Sequence, residues 1–132
     1  MADDLLAQFR RTSATSDSET EYVAFLGNDN PVYLDIRPAS GPENSPVYQG
    51  LVNVVNDREA GTFFILVYAF MLVAVRGRNL QDVVTPIKRK RVSFIQQYDP
   101  KRWPMPKNDK APIIESIEIQ VLNGLTSELL KH

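Results

Sequence analysis

The stretch IKRKRVSFIQQYDPKRWPMP, residues 87–106, holds Lys88, Arg89, Lys90 and Arg91 in succession and a second pair at Lys101 and Arg102. Phe94, Tyr98 and Trp103 are interleaved with them. Cations contact phosphates and aromatic rings stack on bases, so the composition is that of a nucleic-acid patch. A shorter motif, RGRN at 76–79, sets two guanidiniums beside the expected start of a helix, where backbone N–H groups favour an anion. The candidate anion-binding residues are therefore Arg76, Arg78, Asn79, Lys88, Arg89, Lys101 and Arg102.

Spacing separates these two places. A helix is expected from Leu80 to about Tyr98, with Asn79 as N-cap, Asp82 in its first turn and a kink or restart at Pro86. At 100° per residue, Leu80, Val83, Val84, Ile87, Phe94, Ile95 and Tyr98 share its core face. Lys88 to Arg91 then run right round the helix and offer no common focus, whereas Arg76 and Arg78, two apart at a strand end, share a side. An anion is accordingly expected at RGRN. Arg91 falls on the apolar face and needs a carboxylate, with Asp35 and Glu115 as candidates. Trp103 is read either as a stacking surface or as the anchor of its loop.

Other chemistries are missing. The single histidine is His132, the last residue of the sequence, and there is no cysteine. Histidine-based triads, histidine–metal sites, thiolate nucleophiles and cysteine-ligated zinc are not expected, and lack of cysteine fits a reducing compartment. No phosphate-binding loop, nucleophile elbow or dinucleotide motif is present. Glu115 and Glu118 lie three apart in a strand, on opposite faces, and Asp29 with Asn28 and Asn30 lacks the spacing of a calcium loop. No cofactor is called for.

The elements that position these residues follow from periodicity. A chain of 132 residues with 43% hydrophobic and 23% charged residues fits one soluble domain with its own core. DDLLAQFRR can form a short amphipathic helix with Leu5, Leu6 and Phe9 on one side, and TSATSDSET, residues 12–20, is a linker. The organisation is thus residues 1–20, helix and flexible linker, and residues 21–132, one α+β domain. Strands are expected at 22–26, 32–38, 47–56 and 62–75, forming an antiparallel meander, with a fifth at 113–122 after a loop with four prolines. A small barrel is the alternative architecture, and NGLTSELLKH is expected as a short terminal helix.

The apolar run Phe63 to Val75 is thirteen residues, short of the ~20 needed to span a bilayer. Read with Thr62 as one strand of fourteen residues, 62–75, it would be ~46 Å long and apolar on both faces, so a second layer or a second chain must cover it. Charge divides along the chain: ten acids face four bases in residues 1–60, and six acids face eleven bases in residues 61–132. These features converge on a non-catalytic interaction or structural module of the cytoplasm that forms a homo-oligomer, with interface residues Leu5, Leu6, Phe9, Phe63, Ile65, Val67 and Trp103. A nucleic-acid or polyanion binder using the basic half is the second reading. A small carboxylate- or arginine-dependent enzyme is the third. No membrane association is expected.

Overall fold

Buried side chains alternate along Phe63–Tyr68 and again along Met71–Arg78, but the alternation slips by one residue at exposed Ala69 and Phe70. In the computed structural model, which describes residues 21–122, that slip is a two-residue turn. The expected long strand is therefore a hairpin of β4 (Phe63–Tyr68) and β5 (Met71–Arg78). With the chain reversed at Ala69–Phe70, strands of six and eight residues replace the expected ~46 Å span.

Before it come β1 (Phe25–Gly27), β2 (Asp35–Arg37) and β3 (Leu51–Asn56). After it come α1 (Gln81–Lys88), β6 (Val92–Gln96) and β7 (Ile113–Val121). The fold is α+β, with two sheets and one helix among the described residues. The four-stranded sheet has the order β3-β4-β5-β7, antiparallel throughout. The three-stranded sheet has the order β1-β6-β2, with β2 and β6 parallel. The expected four-strand meander is thus corrected: only β3, β4 and β5 form one, while β1 and β2 flank β6 elsewhere. Among the described residues the strands close into no barrel. The Tyr98 amide does bond the Ile114 carbonyl at 2.7 Å, which ties the segment after β6 to β7.

The strands are also shorter than periodicity implies. Residues 47–56 divide into a 3-10 turn at Tyr48–Gly50 and then β3, with a register shift between Leu51 and Asn53. In 32–38, Leu34 and Ile36 are buried, but Val32 is exposed and Tyr33 only bridges Val47.

The long helix is the second correction. α1 ends at Lys88 and the chain returns as a strand four residues later. Arg89 is its C-cap, and Lys90 takes a left-handed φ of 57°. The Lys90 amide bonds Ile87 O at 2.9 Å and the Arg91 amide bonds Pro86 O at 3.0 Å. This pair of bonds is the Schellman stop, usually made with glycine. VSFIQ then follows its β-branched and aromatic composition into β6. Phe94, Ile95 and Tyr98 therefore do not continue the face of Ile87.

The core lies between the sheets. Phe64, Leu66, Tyr68, Met71, Val73 and Val75 cover the inner face of the four-stranded sheet. Leu34, Ile36, Val92 and Ile95 meet them from the small sheet, and Leu80, Val83, Val84 and Ile87 from α1 and its entry. Two glycines permit close approaches. Gly61 sits at φ 64° against the Gln81 side chain, and a Cβ at Gly77 would collide with the Ile113 carbonyl oxygen of β7. The turn before β4 is held by Asp57, whose carboxylate accepts from the Thr62 hydroxyl and amide and from the Phe63 amide. Those bonds, the Thr62 hydroxyl first, hold its pKa below the usual carboxylate range. No helix among the described residues is long and apolar enough to cross a membrane.

Candidate functional site

The seven candidate anion-binding residues fall on three separate turns. Arg76 stands exposed on β5, opposite Phe63 on one side and Ser116 on the other. Arg78 is engaged: its Nε lies 3.5 Å from Glu115 and its Nη2 3.5 Å from the Met105 sulfur. Asn79 does not cap α1 as expected. It has φ 56°, and its side-chain amide donates to the Asp109 and Ala111 carbonyls at 2.9 and 3.0 Å, which fastens the proline-rich loop. The amides that would greet an anion are used as well. Leu80 N bonds Gly61 O at 2.9 Å, Asp82 N bonds Asn79 O at 3.4 Å, and Val83 N bonds Leu80 O at 2.9 Å. Asp82 adds a negative charge to the first turn. The RGRN motif thus serves as a structural joint, with Arg78, Asn79 and the amides of Leu80, Asp82 and Val83 bonded within the chain.

The four-cation run differs from expectation in the opposite sense. Lys88 ends the helix, Arg89 caps it, Lys90 makes the left-handed turn and Arg91 leads into β6. All four are exposed in one tight reversal rather than spread round a helix. Arg91 pairs with Asp29 at 3.7 Å, not with Asp35 or Glu115. Lys88 and Lys90 border a shallow groove along β3, lined also by Leu51–Val54 and Ile87.

The proline-rich loop carries Lys101, Arg102 and Trp103. The Lys101 amide donates to the Asp99 carboxylate at 2.9 Å, and the Arg102 guanidinium lies 4.2 Å from the centre of the Trp103 ring. Trp103 is buried in its own chain, edge-on to Tyr22 with ring centres 5.2 Å apart, and its carbonyl accepts from the Tyr98 hydroxyl. It anchors the loop, and its expected place at an interface is corrected: no free indole face remains for a second molecule.

Of the other expected interface residues, Leu5, Leu6 and Phe9 lie outside the described residues. Phe63, Ile65 and Val67 share the outer face of β4, away from the core. Cross-strand register extends that face. Phe63, Ile65 and Val67 stand opposite Arg76, Ala74 and Leu72 on β5, and Ile65 and Val67 stand opposite Val55 and Asn53 on β3. Arg76, Ala74 and Leu72 stand opposite Ser116, Glu118 and Gln120 on β7. Directly paired residues point to one side of a sheet, so the outer face has six apolar side chains at its centre. These are Val55, Phe63, Ile65, Val67, Leu72 and Ala74, rimmed by Asn53, Arg76, Ser116, Glu118 and Gln120. None of the six belongs to the core or is among the residues packed on it; Val55 is 41% exposed, and the other five are half-buried. Phe63, Ile65, Ala74 and Arg76 also line a dip of about 90 Å³ over the small Ala74 side chain.

Leu72, Ala74 and Val55 were not legible as members of this surface. A single strand over 62–75 groups Phe63, Ile65 and Val67 with Met71 and Val73, whereas the hairpin groups them with Leu72 and Ala74. The signal that separates the two is the pair Ala69–Phe70, which contains none of the residues that usually announce a turn. Among the described residues, no three histidine, cysteine, aspartate or glutamate side chains gather as metal ligands.

The geometry defines an α+β protein with one sheet face buried and the other apolar at its centre. The chain matches no known family, no curated protein and no solved structure.

Proposed function

We propose that this protein is a non-catalytic interaction module that self-associates through the outer face of its four-stranded sheet. The observation that carries the reading is the six-residue apolar cluster, held off the core and ringed by polar side chains. Interfaces have this anatomy, whereas the solvent face of a two-layer sheet is ordinarily polar. A second copy is the occupant the face fits. It bears one cation and one anion at its rim in Arg76 and Glu118, and is therefore self-complementary in charge. Four strands by three residue pairs cover roughly 19 by 20 Å, or about 400 Å² in projection. That is a small interface beside the ~800 Å² per partner of a standard one, and a micromolar dimer is the expected strength. Absence of cysteine suits work in a reducing compartment such as the cytoplasm.

Sedimentation of the full chain from ten to several hundred micromolar tests this. The parent is expected to shift toward dimer with concentration, and Ile65→Glu to remain monomeric with unchanged circular dichroism. A parent that stays monomeric throughout, or an Ile65→Glu variant that associates like it, overturns the reading. A second reading, polyanion binding, has the exposed Lys88–Arg91 turn in its favour. The same measurement with an added oligonucleotide at low and moderate salt separates the two, since only polyanion binding responds to it with steep salt dependence.

A further inference from the structure

The arrangement of the two copies can be read from the rim of the same face, given the self-association proposed above. Among the described residues, the ion pairs join Arg37 to Asp35 and Glu43, Arg78 to Glu115, and Arg91 to Asp29. Arg76 and Glu118 take part in none of them, although both are exposed on one face. Glu118 stands opposite Ala74, so it lies one strand over and two residues along from Arg76. With ~4.8 Å between strands and ~3.4 Å per residue, the two positions are about 8 Å apart.

We infer that the copies pair about a two-fold axis lying in the sheet face, with Arg76 of each chain against the partner's Glu118. An axis that exchanges these two positions is fixed: it is the perpendicular bisector of the line between them. Carried across the sheet, it passes within about 2 Å of the position of Ile65, the middle of the apolar cluster. The rest of the grid then supplies a check that the choice of axis did not build in. Ile65 meets the partner's Ile65. Val67 meets the partner's Val55, and Leu72 falls between the partner's Val55 and the partner's Phe63. Asn53 and Ser116 fall near their own equivalents at the rim. The exception is Phe63, which falls nearest the partner's Gln120; the other apolar positions land on apolar ones, and the strands of the two chains cross at about 70°, closer to orthogonal than to aligned packing. Because the axis is two-fold, the charge pair occurs twice, about 8 Å apart on either side of the axis at the β5–β7 side of the contact.

Charge reversal in trans tests the arrangement. Arg76→Glu and Glu118→Arg, each alone, place like charges in both pairs and are expected to weaken association about tenfold. Mixed together, the two variants restore opposite charges in both pairs, so a heterodimer of near-parental strength should form. An intramolecular rescue cannot produce that result, because neither variant carries both signs. Sedimentation of the full-length parent, each variant and their mixture reads all the outcomes. A parent that dimerises while the variants are unaffected, or while the mixture stays monomeric, overturns the two-fold pairing and leaves self-association standing. A monomeric parent overturns both, and Ile65→Glu distinguishes dimers built on another surface, since those persist in it.

Discussion

Replacing Gly77 with alanine should destabilise the protein by about 2–4 kcal/mol, and the reason lies in the β5–β7 ladder. Gly77 is not at positive φ, so a side chain there suffers no backbone strain; the obstacle is space. An added Cβ would overlap the Ile113 carbonyl oxygen, lie 3.0 Å from its carbon, and lie 3.1 Å from the Glu115 nitrogen. Ordinary contacts to carbon need ~3.5 Å, and the oxygen must retreat by more than about 1 Å. Nothing flexible can absorb this, because all the atoms in the way are backbone of a neighbouring strand. The register shift of the β5–β7 ladder, between Arg76 and Gly77, lies at this approach. Urea or thermal unfolding measures the cost, which corresponds to a fall of roughly 10 °C in Tm for a domain of this size. Gly50→Ala is the control: its Cβ would sit 3.7 Å from the Tyr68 ring, an ordinary contact, and its effect should stay within about 1 kcal/mol. If Gly77→Ala were as mild as Gly50→Ala, the close approach of β7 to β5 would be wrong. The register that aligns Glu118 with Ala74 would fall with it.

Two other outcomes follow from the same geometry. Lys90→Gly should stabilise by about 0.5–1 kcal/mol in urea unfolding, since Lys90 holds a left-handed φ of 57° that glycine adopts freely, while Arg91→Ala, which removes only an exposed pair with Asp29, should stay within about 0.5 kcal/mol. Burial pushes the Tyr48 phenol up to about 12 from its ordinary 10.0, so the unfolded chain ionises first; the phenol's contribution to stability should be level below about pH 10 and fall as pH rises toward 12, with a shallower fall in Tyr48→Phe.

The sequence carried the class of fold and most strand positions because alternation is explicit there. Ser116, Glu118 and Gln120 between isoleucines gave β7 and its outward face directly. What it hid were two reversals made without the usual residues. At Ala69–Phe70 the chain turns with neither glycine, proline, asparagine nor aspartate, and only the one-residue slip in burial marks it. At Lys90 the Schellman stop uses lysine where glycine is the common choice, so a run of good helix formers read as continuing helix. Both errors concern parity or period, and both moved site residues. The first detached Leu72 and Ala74 from the face of Ile65, and the second placed Arg91 in a core it never enters. The pairing of β6 with β1 and β2 was beyond reach, since nothing local to PVYLDIRP specifies a parallel neighbour sixty residues on.

The division of charge along the chain also changes meaning once folded. β1 and β2 come from the acidic half and flank β6 from the basic half, and the Asp29–Arg91 pair joins the two halves across that sheet. The halves interleave, so no acidic pole faces a basic one. The four cations have a local occupation in addition. They cluster at the carboxyl end of α1, where the helix dipole favours positive charge, and Lys88 lies in the last turn itself. A cluster that answers a local electrostatic demand needs no ligand to explain it. Among the described residues, the outer sheet face has no such internal explanation. Its apolar side chains lie outside the core they turn away from, and a β-sheet tolerates polar residues on a solvated face at little cost. That contrast is the ground for the proposed self-association, and the opposite charges of Arg76 and Glu118 at the rim are the ground for proposing the chain's own copy as the occupant.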